Sequence, residues 1–275
     1  MSASSSAAFS SPRGTALVTG ASSGIGATYA DRLARRGYDL ILVARDAERL
    51  AAVADRVQRT YGVHAEVLQA DLTDRAALAR VEERLRTDTR IALLVNNAGM
   101  SVNGTLAEAD LDAVERMIQL NVTAPTRLAA AAAKAFAARK AGTLINIASV
   151  LALAPELFSG SYSGTKAYVL NLSHSLAREM QPHGVRVQAV LPGATRTEIW
   201  ERSGASADGL PPEMVMDVDP MVDAALAGLD LGEAVTIPPL EALDGFLALE
   251  QARQQLAPHL SRNRPATRYA AGATA

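Results

Sequence analysis

Tyr162 and Lys166 stand four residues apart in "YSGTK", which puts both side chains on one face if the segment is helical. An ammonium beside a phenol favours the phenolate and draws the hydroxyl from its usual pKa of about 10 toward neutrality, where a general acid–base works. The chain has three lysines among its 27 basic residues, so a lysine at this offset is a scarce residue in a telling place. The plain alternative is the surface of an amphipathic helix. Thirteen residues before the tyrosine, Ser149 ends the run "INIAS" and offers a hydroxyl that can donate to a reacting carbonyl oxygen.

Asn121 brings a different resource. It is a poor residue for a helix interior, and Pro125 four positions later has no N–H to give to the residue 121 carbonyl. A carbonyl freed in this way near Lys166 could hold a water that relays protons from bulk solvent; an ordinary proline kink around a buried polar side chain is the other reading. Thiol chemistry is absent, because the chain contains no cysteine. The four histidines, His64, His174, His183 and His259, show no ligand spacing, so no metal is expected.

These groups need a scaffold, and the hydrophobic pattern supplies one. Runs of Val, Ile, Leu and Ala at Ala16–Thr19, Leu40–Ala44, Ala65–Gln69, Ile91–Asn96, Thr143–Ser149, Val185–Leu191 and Ala234–Ile237 read as seven strands. Helical spacing occupies Ala27–Arg36, Ala47–Thr60, Arg75–Arg86, Leu111–Arg139, Tyr162–Met180 and Met221–Leu229. Strand–helix alternation sustained over this length predicts an α/β, doubly wound parallel sheet covered by helices on both faces. In such sheets ligands bind outside the carboxyl ends of the strands.

With 275 residues and 49% hydrophobic side chains, the chain can bury a large core as a single domain, expected over residues 13–262. Residues 1–12 read as a disordered tail and 263–275 as a flexible one, while 198–219, rich in glycine and proline, reads as a long loop with a helical turn. A net charge of −2 gives no footprint for nucleic acid. The most apolar stretches are too short or too interrupted to span a bilayer, so no membrane association and a cytoplasmic address are expected.

The first strand runs into "TGASSGIG", residues 19–26. Gly20 permits the tight turn; Gly24 and Gly26 let backbone approach a pyrophosphate and the sheet; and Ser22, Ser23 and Ile25 complete the turn. The helix beginning near Gly24 presents free N–H groups and its positive dipole end to phosphates, although glycine-rich strand–helix turns also serve packing. The second strand ends in Ala44-Arg45, where a binder of NAD would carry an acid for the ribose hydroxyl. The missing carboxylate and the guanidinium suit the 2′-phosphate of NADP. Asp71 and Leu72 end the third strand, where Asp71 could equally cap the next helix, and Asn97, Ala98 and Gly99 follow the fourth, their small side chains leaving room for a flat adenosine.

Taken in order, TGASSGIG, NNAG at 96–99, Asn121, Ser149, Tyr162 with Lys166, and "PGATRT" at 192–197 resemble the short-chain dehydrogenase/reductase family over about residues 13–237. The resemblance implies a Rossmann-type fold and direct hydride transfer between NADP(H), preferred over NAD(H), and a carbonyl or alcohol substrate. It implies that Tyr162 donates and accepts the proton, Ser149 positions the carbonyl, Lys166 binds the nicotinamide ribose and tunes Tyr162, and Asn121 supports a water relay. Pro192, Gly193, Thr195 and Thr197 would flank the nicotinamide. A homo-oligomer, dimer or tetramer, is also implied, joined through the long helices before and after the fifth strand. The alanines of "RLAAAAAKAFA" at 127–137 would permit close helix approach, or would serve the chain's own sheet.

The loop 198–219 would act as a substrate lid, with Ile199, Trp200, Leu210, Met214 and Met216 either lining an apolar pocket or packing the loop down. Its acidity favours a neutral ketone, aldehyde or alcohol over an anionic substrate. Two rivals are a non-catalytic NADP-binding sensor on the same fold, which would typically lack the Tyr or Lys, and a sugar epimerase or dehydratase of the family's extended branch, against which the glycine spacing and the length both count.

Overall fold

The computed structural model describes residues 13–202 and 209–269. Seven parallel strands make one sheet in the order β3-β2-β1-β4-β5-β6-β7: β1 Thr15–Thr19, β2 Asp39–Ala44, β3 Ala65–Gln69, β4 Ile91–Asn96, β5 Gly142–Ile147, β6 Val185–Val190 and β7 Val235–Thr236. The chain starts in the middle, winds outward to β3, and returns across β1 to build the other half, so the order reverses between β1 and β4. That reversal opens a crevice at the carboxyl ends of these two strands.

The central strands read as unbroken apolar runs because both faces are covered. On one face lie α1 (Gly24–Arg35), α2 (Ala47–Tyr61) and α8 (Val218–Leu231), whose Leu33, Val53, Val57, Val222 and Leu226 join Leu40, Leu42 and Val95 in one core layer. On the other, α3 (Arg75–Thr87), α5 (Ala124–Arg139) and α6 (Gly160–Met180) pack Val81, Leu85, Leu128, Phe136 and Leu176 against Leu17, Leu94 and Leu144. Each fully buried Leu or Phe contributes about 1.5–3 kcal/mol. Aspartates start the helices where a strand end must turn sharply: Asp46 accepts from Arg49 N at 3.0 Å and Asp74 from Ala77 N at 2.7 Å.

Strand five stops at Ile147, two residues short of the expected Ser149, because Ser149 leaves the ladder to cap a short 3₁₀ turn, Val150–Ala152. The helix expected over 111–139 is three pieces: α4 (Leu111–Ile118), a π-turn at Gln119–Thr123, and α5. Pro125 cannot donate to the Asn121 carbonyl, and the chain absorbs the lost bond by widening the turn, with Ala124 N–H reaching back to Gln119 O. The alanines of α5 serve the chain's own core, since Ala129, Ala131, Ala132 and Ala133 are all buried within it.

The short α7 (Ile199–Arg202) falls in the expected loop 198–219; by its contacts the chain forms one compact unit up to Pro239 and a second from Leu240 that contains α9 (Asp244–Leu256). The expected tail residues 1–12, the last six of the tail expected at 263–275, and positions 203–208 of the loop lie outside the described residues. No helix among the described residues is long and apolar enough to cross a membrane.

Candidate active site

Gly20 leaves β1 at φ 66°, a left-handed conformation that opens the turn. A Cβ at Gly26 would stand 2.2 Å from the Gly20 carbonyl oxygen and 2.6 Å from Asn97 Nδ2, and one at Gly20 would stand 2.7 Å from the same amide nitrogen. Backbone thus packs on backbone across the crevice, and only glycine fits. Asn97 fixes the contact by donating Nδ2 to Thr19 O at 2.9 Å. Thr19 Oγ1 accepts from both Asn97 N and Ala98 N, at 2.9 and 3.0 Å, and donates to Val95 O. α1 begins at Gly24, where the glycine turn puts it and three residues ahead of the periodic run from Ala27, with no side-chain cap from Ser23 and no acid in its first turn. Its leading N–H groups and dipole therefore face the crevice without a competing carboxylate. Ile25 anchors the helix start in the core.

The four chemical residues come together at the same edge. Lys166 is buried, and its Nζ donates to Ile147 O at 3.0 Å and lies 5.6 Å from the centre of the Tyr162 ring. A point one Cβ bond above Gly99 is 3.3 Å from Asn121 Oδ1 and 3.6 Å from Lys166 Nζ, so the NNAG turn, the π-turn and α6 meet there. Ser149 is pinned by neighbours on both sides, with Ala148 N bonded to Val190 O at 2.8 Å and Val150 N to Pro192 O at 3.0 Å. Its Oγ accepts from Leu151 N, which leaves the hydroxyl proton available for donation. Tyr162 sits in the first turn of α6, edge-on to Phe158 at 5.8 Å, and its hydroxyl has no partner among the described residues.

Asn121 spends its side chain on protein. Nδ2 donates to Met100 O at 2.8 Å and Thr165 Oγ1 at 3.1 Å, while Oδ1 accepts from Met100 N at 2.9 Å. What it has left for the site is its main-chain carbonyl, to which Pro125 cannot donate.

Electrostatically the ligand-free site departs from the sequence expectation. Burial pushes the Tyr162 phenol above its ordinary value instead of the lysine drawing it down. Burial also lowers Lys166, to about 8, from its ordinary 10.5. Both groups are driven toward their neutral forms because neither has a carboxylate or other counter-charge beside it. At neutral pH Tyr162 is therefore a protonated phenol, ready to donate, and Lys166 is still mainly an ammonium.

The remaining candidates follow the ends of β2, β3 and β6. Arg45 is exposed at the end of β2 and makes no ion pair among the described residues. Asp71 is not a helix cap: Asp74 takes that role, and Asp71 Oδ1 instead closes a turn onto Thr73 N and Oγ1 at 2.9 and 2.7 Å. Leu72 is buried. After β6, Pro192 through Thr197 form a braced loop: Thr195 Oγ1 donates to Gly193 O at 3.0 Å, Thr195 bridges Met216, and Thr197 Cγ2 would touch a Cβ at Gly24 at 3.3 Å.

The loop residues divide between the two readings left open. Trp200 Nε1 donates to Thr195 O at 2.8 Å and Met216 packs on the core, so both hold the loop down, whereas Met214 is exposed. Of the four loop acids whose side chains are described, three are paired: Glu198 with Arg49 at 2.7 Å, Asp217 with Arg196 at 3.2 Å and Asp219 with Arg32 at 3.1 Å. Repulsion of an anionic substrate is correspondingly weaker than the sequence implies. Among the described residues no three His, Cys, Asp or Glu side chains cluster as a metal site.

Three residues that sequence reasoning passed over bear on the site. Thr19 staples the glycine turn to the NNAG turn, Met100 holds Asn121 by two backbone bonds, and Thr165 links Asn121 to the Tyr162 carbonyl, to which it donates at 2.7 Å. Thr165 was visible as the polar residue inside "YSGTK".

The sequence model of the short chain dehydrogenase family matches residues 14–208. The fold superposes on a short-chain dehydrogenase from Sphingobium yanoikuyae in complex with NADPH, with TM-score 0.91 and 54% identity over 93% of this chain and 99% of the other. It superposes on the bulky-bulky ketone specific alcohol dehydrogenase from Comamonas testosteroni with TM-score 0.86 and 49% identity, over 94% and 98% of the two chains. A more distant relative by sequence is the human 17-beta-hydroxysteroid dehydrogenase type 3, 31% identical over 238 residues, which are 85% of this chain and 74% of that protein. The glycine turn, the π-turn asparagine and the Ser, Tyr and Lys at one sheet edge thus stand in a chain that belongs to the short-chain dehydrogenase/reductase family and is an oxidoreductase.

Proposed function

We propose that the protein is an NADP(H)-dependent oxidoreductase that interconverts a ketone or aldehyde with its alcohol, using Tyr162 as acid and base. The observation that carries this reading is the meeting of Tyr162, Lys166 and Asn121 beside Gly99, at the same strand ends as the uncapped glycine turn. The residues present fit a dinucleotide phosphate. A Cβ would fill the cradle at Gly20 and Gly26, the start of α1 carries no acid, and Arg45 is a guanidinium without an ion pair among the described residues. Gly20, Ser22, Ser23, Gly24, Ile25 and Gly26 would hold the pyrophosphate and Arg45 the 2′-phosphate. Asp71, Leu72, Asn97, Ala98 and Gly99 would flank the adenosine side, and Pro192, Gly193, Thr195 and Thr197 the nicotinamide. The NADPH complex of the similar Sphingobium yanoikuyae protein supports this choice.

When bound, the nicotinamide supplies a hydride to the carbonyl carbon, or accepts one in the reverse direction. Tyr162, kept protonated by its buried position, gives its proton to the carbonyl oxygen during reduction and recovers one during oxidation. Ser149 keeps its hydroxyl hydrogen free of protein acceptors and can direct it at the same oxygen. Lys166 uses one ammonium hydrogen on Ile147 O, leaving two for the ribose and for the proton path. The ammonium's charge lowers the cost of a transient phenolate, opposing the desolvation that otherwise disfavours it. Asn121, immobilised by Met100 and Thr165, presents its main-chain carbonyl as an acceptor for a relay water.

A bulky neutral ketone is the substrate class proposed first, given the ketone specificity of the similar Comamonas testosteroni enzyme. A dimer or tetramer is the proposed assembly, to be read by light scattering. The deciding experiment follows NADPH and NADH consumption over a panel of ketones and aldehydes, with Tyr162→Phe alongside. Turnover that prefers NADPH and vanishes in the variant, while NADPH still binds, is the expected result. NADPH binding without turnover on any carbonyl, or equal rates in the variant, would point instead to a sensor on the same fold.

A further inference from the structure

The sheet has a second edge that the catalytic reading does not use. At the amino ends of β4, β5 and β6, on the side opposite Tyr162, lies a cavity of about 320 Å³. Arg139, Arg186, Tyr38, Thr89 and Thr143 contribute its polar walls, alanines and glycines complete it, and no carboxylate lines it. The volume is at the lower end of the range for small-molecule sites.

Twelve of the chain's 24 arginines are paired with acids among the described residues, among them Arg32 with Asp223, Arg36 with Asp230, Arg84 with Glu66 and Arg127 with Glu82. Arg139 and Arg186 make no ion pair among the described residues. Arg139 comes off the last turn of α5 and is held rigidly, donating Nη1 to Thr89 O at 2.9 Å and Nη2 to Ile91 O at 2.5 Å while stacking at 5.1 Å on the Phe136 ring. Its charge is partly desolvated and uncompensated, and burial weakens its hold on its proton. The acid whose field reaches it, Asp88, is already bonded to Arg84 at 2.9 Å and Arg90 at 2.7 Å. Arg186 lies on β6 directly in register with Thr143 on β5, so the second guanidinium and that threonine stand side by side on adjacent strands.

We propose that this cavity is an anion site that takes a phosphate-bearing small molecule, gripped between the guanidinium groups of Arg139 and Arg186, with the hydroxyls of Tyr38, Thr89 and Thr143 on the same walls. Arg139 keeps three of its five N–H donors after its two backbone bonds, and with the guanidinium of Arg186 and three hydroxyl-bearing side chains they match the several acceptor oxygens of a tetrahedral phosphate better than the two of a carboxylate. Arg139 contributes because its guanidinium is already fixed and loses little freedom on binding. The site stands apart from the cofactor crevice and does not depend on which nicotinamide the protein uses.

The test is a calorimetric titration of the NADPH-saturated protein with inorganic phosphate at constant ionic strength, the cofactor keeping the glycine turn from answering. One saturable event per chain is expected, weakened by at least about tenfold in Arg186→Gln. Arg186 is exposed, so that variant keeps the fold, and Arg59→Gln, an exposed arginine of α2, should bind as the parent does. Absence of saturable uptake, parent-like affinity in Arg186→Gln, or an equal loss in Arg59→Gln would overturn the proposal. Because the comparison reads Arg186, its failure is separable from any failure of the cofactor reading.

Discussion

Thr165→Val tests whether the π-turn and the catalytic helix work as one unit. Thr165 is 4% exposed, and its single hydroxyl does two things: it donates to Tyr162 O at 2.7 Å and accepts from Asn121 Nδ2 at 3.1 Å. Valine keeps the shape and removes both. Asn121 retains its two bonds to Met100, at 2.8 and 2.9 Å, and the Tyr162 carbonyl remains within helical hydrogen bonding, so the main loss is one buried amide N–H without an acceptor. That costs about 1–3 kcal/mol, which for a domain of this size lowers Tm by about 2–4 °C per kcal/mol. Asn121 is then held from the Met100 side alone, and its main-chain carbonyl is less firmly fixed for the proposed relay. If about 1.4 kcal/mol of the loss reaches the barrier, kcat falls about tenfold, while KM for NADPH changes less, because none of these contacts lies on the glycine turn. Thermal unfolding and steady-state kinetics on Thr165→Val and Thr165→Ser separate the cases, since serine keeps the hydroxyl and should restore most of both quantities. A valine variant with parental Tm and parental kcat would refute the coupling, and equal losses in valine and serine would assign them to packing.

Two further outcomes follow from the same geometry. Gly26→Ala forces a methyl to within 2.2 Å of Gly20 O and 2.6 Å of Asn97 Nδ2, so the start of α1 must move; a loss of about 1–3 kcal/mol is expected, with weaker NADPH binding by fluorescence titration, and an unchanged affinity would contradict the close packing. Lys166 carries a pH signature in the ligand-free protein, because burial depresses its pKa from 10.5 to about 8. Below pH 8 both folded and unfolded chains hold the proton and the full cost of burying the charge is felt. Above it the folded chain releases the proton first, so stability relative to Lys166→Met should rise as pH climbs from 8 toward 10.5, by about 3 kcal/mol at most. Tyr162, raised by burial, stays protonated across the lower part of this window. Denaturant unfolding that shows a flat difference between pH 7 and about 10 would remove the buried-amine account.

Much of this molecule is legible in the sequence because two periodicities dominate it. Strands buried on both faces must be apolar runs, and helices that cover them must repeat at the helical period, so all seven strands and the six intervening helical segments fall near their expected places. The misses cluster where one side-chain hydrogen bond decides a local boundary: Ser149 ends β5 early by capping the next turn, and Asp74, not Asp71, takes the cap of α3. Each depends on one rotamer or one φ angle, to which hydrophobic periodicity is blind. Helical spacing also does not say which compact unit a helix joins, and α9 lies in the second.

The site shows the same division between what residue types announce and what only burial decides. Tyr162, Lys166, Ser149 and Asn121 can be picked out from their spacing, yet the direction of the tyrosine's pKa cannot, because it depends on a contest between desolvation and a nearby charge. Sequence spacing supplies the charge, four residues away on a helix. The fold adds a buried pocket without a carboxylate, in which desolvation wins for both groups. The outcome is a phenol that holds its proton at neutral pH beside an amine that can still lose one under mildly alkaline conditions. A protonated phenol is the form that donates to a carbonyl oxygen, so the ligand-free electrostatics favour reduction at neutral pH. In the proposed mechanism, oxidation requires Tyr162 to lose its proton first, through the path proposed for Lys166 and the Asn121 carbonyl. The oxidative rate should therefore climb with pH where the reductive rate does not.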